Sequence, residues 1–198
     1  MIHKMAEKIV TGQIKKGTLG EADRNKYIYA YEVLFNQVFN LGIALVLGAV
    51  THELIAVCAF LAIYIPLRKY AGGFHAKTNG RCMVYSTLVV IGVIVINRIL
   101  DGCITGFWTF VALAAVSVIL LAVAVCMTPV EAANKRLTEE ERLRCQKKVR
   151  LFGWIHIVCL TANLFWMKWD FLSIDFLLAY VVLAGVLLAG KWMKESVM

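Results

Sequence analysis

Six long apolar runs, each parted from the next by a short polar or charged segment, leave this chain few ways to fold. They cover roughly residues 28–50, 53–67, 83–100, 104–127, 151–168 and 171–190. A helix that spans a bilayer needs about 17–25 apolar residues, and most of the runs reach or approach that length. The chain as a whole is 61% apolar with a mean hydropathy of +0.74, against roughly 45–50% apolar residues for soluble domains. The pattern predicts an all-α polytopic membrane protein with about six transmembrane helices. The second run, about 15 residues long, has to thin the bilayer or lean on its neighbours. Glu32, Asn36 and Gln37 interrupt the first run, so its N-terminal half is expected to face protein or water rather than lipid.

A net charge of +8 invites a nucleic-acid reading, but the placement of the charges supplies another. Of the 21 Lys and Arg residues, all but Arg98 and Lys168 fall in segments that share one side if the N-terminus is cytoplasmic. The opposite turns are short and carry Glu53, Asp101, Asp170 and Asp175. This asymmetry is the positive-inside pattern of membrane proteins. It predicts both termini on the cytoplasmic side of a cell membrane, lipid as the surrounding partner, and no nucleic acid.

The polar segments have character of their own. Residues 1–26 lack an apolar run with a small-residue cleavage site, so no cleavable signal peptide is expected. Ile2, Met5, Ile9 and Val10 recur there at helical spacing among Lys4, Glu7 and Lys8, as in an amphipathic helix on a membrane surface. In the basic loop 128–150, Thr128-Pro129 ends the fourth span. "LTEEERLRCQKKVR" then reads as a solvated helix, with Thr138 as N-cap and Glu141 completing a capping box. Glu139–Arg142 and Glu140–Arg144 have the spacing of side-chain pairs on it. His156, inside the fifth span, is expected to bond a neighbouring helix, and Trp154, Trp166, Trp169 and Trp192 sit near span ends as interfacial aromatics do.

Six cysteines are scattered without C-x-x-C spacing, which indicates neither a disulfide framework nor a zinc site; no metal and no cofactor is expected. Cys58, Cys103, Cys126 and Cys159 lie in apolar runs and behave as small hydrophobes. Cys82 differs. It closes the segment "RKYAGGFHAKTNGRC", Arg68 to Cys82, which interrupts the chain between the second and third runs.

Three features of residues 68–82 exceed what a connecting loop needs. His75 and Cys82 are about 10.5 Å apart along an unbroken helix axis, whereas a thiol–imidazole contact needs roughly 3 Å; Asn79-Gly80, a strong turn signal, lies between them. Cys82 is expected in the first turn of the third span, where exposed N–H groups, Arg81 and Lys77 favour a thiolate. Gly72-Gly73 permits backbone that other residues resist, letting the loop dip into the membrane beside a protein cavity or aim its N–H groups at a substrate carbonyl. The residues alone leave open a Cys/His nucleophilic pair and a solvated loop that happens to hold both. A small multi-pass transporter or channel, with 68–82 as a substrate-lined re-entrant loop, is the alternative of a different class. Asn79 and Asn36 are candidates to orient His75.

Arg68, "AGGFHA" at 71–76 and Cys82 resemble the signature of the accessory gene regulator B family, membrane cysteine endopeptidases of Gram-positive quorum sensing. Chain length, amphipathic N-terminus, six spans and the basic fourth-to-fifth loop are similar too, so the likeness covers residues 1–198 as a single membrane-embedded peptidase domain. The resemblance implies cytoplasmic cleavage of a precursor peptide, with an amphipathic leader and an acidic tail, near that tail. An acyl-enzyme thioester is then resolved by a cysteine or serine of the peptide into a thiolactone or lactone. It implies Cys82 as nucleophile, His75 as general base, Arg68 as a structural or substrate-binding partner, Gly73 as a backbone requirement and a homodimer. Lys135, Arg136 and the 142–150 cluster would suit the acidic tail, although "VEAAN" intervenes before Lys135 where the family often shows a denser lysine run.

Overall fold

The computed structural model describes residues 2–73, 79–100, 106–130 and 137–195, apart from the side chains of Asn79 and of residues 193–195. Seven α-helices follow one another: α1 (Ile2–Lys15), α2 (Arg24–Val50), α3 (Leu54–Ala71), α4 (Asn79–Leu100), α5 (Phe107–Met127), α6 (Glu139–Ala162) and α7 (Asp170–Glu195). Among the described residues there is no strand beyond one isolated bridge. Six of the helices, α2 to α7, are long and apolar enough to cross a membrane, as the six runs predict. Six crossings return the chain to the side on which it began. One end of the bundle therefore gathers the start of α2, the end of α3, the heads of α4 and α6 and the end of α7, with most of the Lys and Arg; we call it the basic end.

The core is organised by α7, the most enclosed helix. Its buried residues Phe176, Ala179, Tyr180, Leu183 and Leu187 recur every three or four positions and meet Phe60, Ile63, Leu67 and Ala71 of α3 and Leu121 and Ala124 of α5. That spacing places each set on one helix face. Outside this core, Val50, Ile55, Ile99, Trp108, Val158, Trp166 and Trp192 are exposed, a surface that suits hydrocarbon rather than water. The predicted bond from His156 is present: its Nδ1 lies 3.1 Å from the Tyr180 hydroxyl on α7, and both residues are buried.

Several boundaries differ from the sequence expectation. The second span is an 18-residue helix, since α3 runs through Pro66 to Ala71; the hydrogen bond that a proline denies its preceding turn is tolerated where neighbouring helices support the chain. The solvated helix and the fifth span are one rod, α6, continued by a π-helical turn at Asn163–Met167. The capping box forms as expected, with Thr138 Oγ1 accepting from the Glu141 N–H at 3.3 Å and Glu141 accepting from the Thr138 N–H at 3.1 Å. Glu140 and Arg144 pair at 3.7 Å. Asn163 then staples the turn into α7, bonding the Trp169 N–H and carbonyl and the Ser173 hydroxyl.

The N-terminal helix packs on α2 through Ala6 and Val10, which cover Ile28, while Met5 and Ile9 stay exposed. The apolar stripe is thus shared between α2 and the surroundings. Three polar links hold α1 in place: His3–Glu32 at 2.5 Å, Arg24–Glu7 at 3.2 Å and Gln13 to the Tyr31 hydroxyl at 2.7 Å. Glu32 in the first span is thereby accounted for. Asp175, expected in an outer turn, is instead fully buried in α7, because that helix begins five residues earlier and turns this position toward α4.

Candidate active site at the basic end

The site grows out of the end of α3. The last carbonyls of a helix have no partner within it and attract cationic side chains. Arg68, in the last turn of α3, donates from its guanidinium to the Gly72 carbonyl oxygen. One turn earlier on the same face, the Tyr64 phenol hydrogen-bonds Arg68 and lies within electrostatic reach of the Cys82 sulfur. Tyr64 also stacks on Phe60, ring centroids 5.4 Å apart.

Gly72 and Gly73 then leave the helix with φ of 76° and 106°, a region that residues with a Cβ rarely enter. Their backbone is clasped by a second segment, the chain just after α5. The Val130 N–H donates to the Ala71 carbonyl at 2.9 Å, and the Gly73 N–H donates to the Val130 carbonyl at 3.1 Å, forming the isolated parallel bridge between Gly72 and Val130. This strap is anchored in turn: Thr128 Oγ1 bonds the Val125 carbonyl at 3.0 Å, and Gln146 of α6 donates to the Thr128 carbonyl at 3.4 Å. On the other side, a Cβ on Gly73 would come within 2.9 Å of the Val186 carbonyl oxygen of α7. The glycine pair is wedged between a strap and a helix.

Cys82 is the fourth residue of α4, a half-buried free thiol in its first turn. The sequence expectation for its position holds. Cys58, Cys126 and Cys159 are exposed on apolar helix faces. The expected Asn79-Gly80 turn is a correction: both residues are the first of α4, and Gly80 has no positive φ. Asn and Gly are tolerated at helix starts because first-turn N–H groups need no acceptor within the helix. The chain leaves α3 at Gly72-Gly73 instead. The Gly73 N–H, expected to be free for a substrate carbonyl, is committed to Val130.

His75 and Lys77, the side chain of Asn79, and Lys135 and Arg136 lie outside the described residues, as does the expected dip of the loop into the membrane. Asn36 is buried in α2, and its Oδ1 has no hydrogen-bond partner among the described residues. The rest of the basic cluster that follows the strap belongs to α6. Arg142, Arg144, Lys147, Lys148 and Arg150 are exposed along the first half of α6, and Phe152 of that helix stacks on Tyr70 at the end of α3, 5.9 Å between ring centroids. Sequence reasoning missed Tyr64 and Val130. Tyr64 had one local signal, its position four residues before Arg68; Val130 had none.

Fold and site together define a six-span membrane protein with a free cysteine at the head of one span, beside an arginine-held glycine turn. The family model described as Accessory gene regulator B matches residues 2–192. The chain belongs to the accessory gene regulator B family. No curated protein and no solved structure matches it.

Proposed function

We propose that this protein is a membrane cysteine endopeptidase that cuts a quorum-sensing precursor peptide near its acidic C-terminal tail and cyclises the remainder. The observation that carries this reading is the position of Cys82 in the first turn of α4, within electrostatic reach of Tyr64, which bonds the Arg68 that holds the glycine turn leading into His75. His75 takes the Cys82 thiol proton, and the sulfur attacks the scissile carbonyl. The C–N bond breaks, the proton passes to the leaving amine of the tail, and a thioester to Cys82 remains. A thiol or hydroxyl within the peptide then attacks that carbonyl. Its proton returns through His75 to the departing Cys82 sulfur, and a thiolactone or lactone is released. Exchange of one thioester for another is nearly isoenergetic, so a site that keeps water from the acyl-enzyme favours ring closure over hydrolysis.

The basic end faces the cytoplasm in this reading, following the positive-inside rule. The exposed basic face of α6, with Lys135 and Arg136 ahead of it, receives the acidic tail, and a second copy of the chain completes a homodimer. The test is co-expression with a candidate short precursor peptide that carries an acidic tail, followed by mass spectrometry of the products. Wild-type protein is expected to yield tail and cyclic product, with neither from Cys82→Ala or His75→Ala. Unchanged cleavage in either variant sinks the assignment, and a protein that acts as a transporter would also survive Cys82→Ser.

A further inference from the structure

At the end of the bundle opposite Cys82, α4 and α7 are joined by two buried polar side chains. Asn97, buried on α4, donates both hydrogens of its amide: one to the Val93 carbonyl at 3.1 Å, the other to Asp175 Oδ1 at 2.9 Å. Two acceptors are left over. Asn97 Oδ1 and Asp175 Oδ2 are both buried and both without a hydrogen-bond partner among the described residues. A buried acceptor with no donor is costly, more so where no bulk water reaches, and here two belong to one bonded pair. Asp175 is fully enclosed, so an ionised carboxylate would hold its charge away from water.

One proton answers both vacancies. On Asp175 Oδ2 it turns that oxygen into a donor, and the acceptor offered by the residue already bonded to it is Asn97 Oδ1. The acid and the amide then each give one hydrogen and accept one, closing a ring with no group unsatisfied. We propose that Asn97 and Asp175 form a proton-binding site in which Asp175 is held as the neutral acid. A cavity of about 240 Å³, lined by His52, Glu53, Ile55, Ala56, Asn97, Phe171 and Ile174, adjoins it. Liquid water takes about 30 Å³ per molecule, so the cavity has room for several. Water entering that cavity, which Asn97 lines, would supply the proton and take it back.

The charged groups around the pair fit a proton better than a metal ion. From the turn before α3 come His52 and Glu53, and the Glu53 carboxylate is within electrostatic reach of Asp175. From α4 comes Arg98, which is bonded to Glu53 at 3.4 Å and to the Thr51 carbonyl at 2.6 Å. From α7 itself comes Asp170 at its first position. From α5 and the end of α6 come apolar residues, Phe110, Leu113 and Leu164, packed with Ile174. Among the described residues no three His, Cys, Asp or Glu side chains are grouped to hold a metal ion. Asn97 and Cys82 share α4, about 22 Å apart along its axis. Loss of the proton would leave a bare charge between α4 and α7, so the site ties the hold on the cysteine's helix to the far aqueous phase.

Infrared spectroscopy of the full chain in an ester-free detergent tests this without reference to peptide cleavage. At neutral pH the wild type is expected to show the C=O stretch of a protonated carboxylic acid, lowered in heavy water and missing in Asp175→Asn. Asn97→Leu is expected to keep that band and move it to higher wavenumber, because its acceptor is gone. Asp175→Asn, a neutral isostere that can make the same ring, is expected to keep the wild-type unfolding temperature. Absence of the band at neutral pH, its persistence in Asp175→Asn, or a lowered unfolding temperature in that variant overturns the proposal. So does an unfolding temperature that rises in sodium over choline chloride for the wild type but not for Asp175→Asn, which would assign the site to a metal cation.

Discussion

A Cβ built on Gly72 would lie 2.1 Å from the carbonyl oxygen of Val130. Nothing at that distance can be relieved by a side-chain movement, because the obstacle is backbone. The strap after α5 and the turn after α3 have therefore been fitted to each other atom by atom, and the carbonyl that blocks a side chain is also the acceptor for the Gly73 N–H.

Gly72→Ala is expected to destabilise the protein by on the order of 3 kcal/mol or more, the sum of a positive-φ penalty and a backbone overlap. Gly73→Ala, which meets the Val186 carbonyl at 2.9 Å, should follow it closely. Gly80→Ala is the control, since nothing lies within 4 Å of its Cβ position; it should stay within about 0.5 kcal/mol of the wild type or gain slightly. Thermal unfolding in detergent separates the three. Equal losses at Gly72 and Gly80 would show that the strap does not set the requirement.

Tyr64→Phe removes the phenol that hydrogen-bonds Arg68 and lies within electrostatic reach of the Cys82 sulfur while leaving the ring stacked on Phe60. Cleavage of the precursor is expected to slow at least about tenfold, the lower end of what one hydrogen bond to a charged group is worth, in kcat rather than KM. Alkylation of Cys82 by iodoacetamide should slow with it. A variant that cleaves at the wild-type rate would remove Tyr64 from the site.

Lys147→Glu combined with Lys148→Glu reverses two charges on the exposed face of α6. KM for a precursor with an acidic tail should rise severalfold at low salt, and the difference should shrink as salt screens these exposed charges. Alkylation of Cys82 should not change. An unaltered KM at low salt would place the tail elsewhere.

Thr138→Ala removes the side-chain half of the capping box, the bond that Thr138 Oγ1 accepts from the Glu141 N–H, and keeps the Thr138 N–H that Glu141 accepts. A loss of about 1 kcal/mol is expected, confined to the start of α6 and visible as faster hydrogen exchange of the Glu141 amide. Uniform acceleration through α6 would mean that the helix has no independent end to fray.

These sites also show which parts of the fold were legible beforehand. The spans, the capping box and the interhelical bond of His156 rest on patterns within a few residues of one another, and all three are found in the structure. Cys82 could be placed at a helix start for the same reason. A carboxylate as close to the start of a run as Asp175 reads as part of the preceding turn; only Asn97, on another helix, makes its burial intelligible. Asn79-Gly80 was ambiguous in kind, since the same residues favour turns and helix starts. Val130 was invisible, because its role is played by backbone atoms that any residue but proline would supply.

The continuity of α6 bears on where a peptide would be cut. From Glu139 to Ala162 the helix is unbroken, and it is pinned to the strap by Gln146 and to α3 by the Phe152–Tyr70 stack. Its exposed cations thus stand on the same rigid frame as the glycine turn. If a tail is gripped there, the scissile bond is chosen by span, as with a ruler, more than by the residues that flank it. Lengthening the peptide between its acidic tail and the cut would then move the cleavage point by the residues inserted.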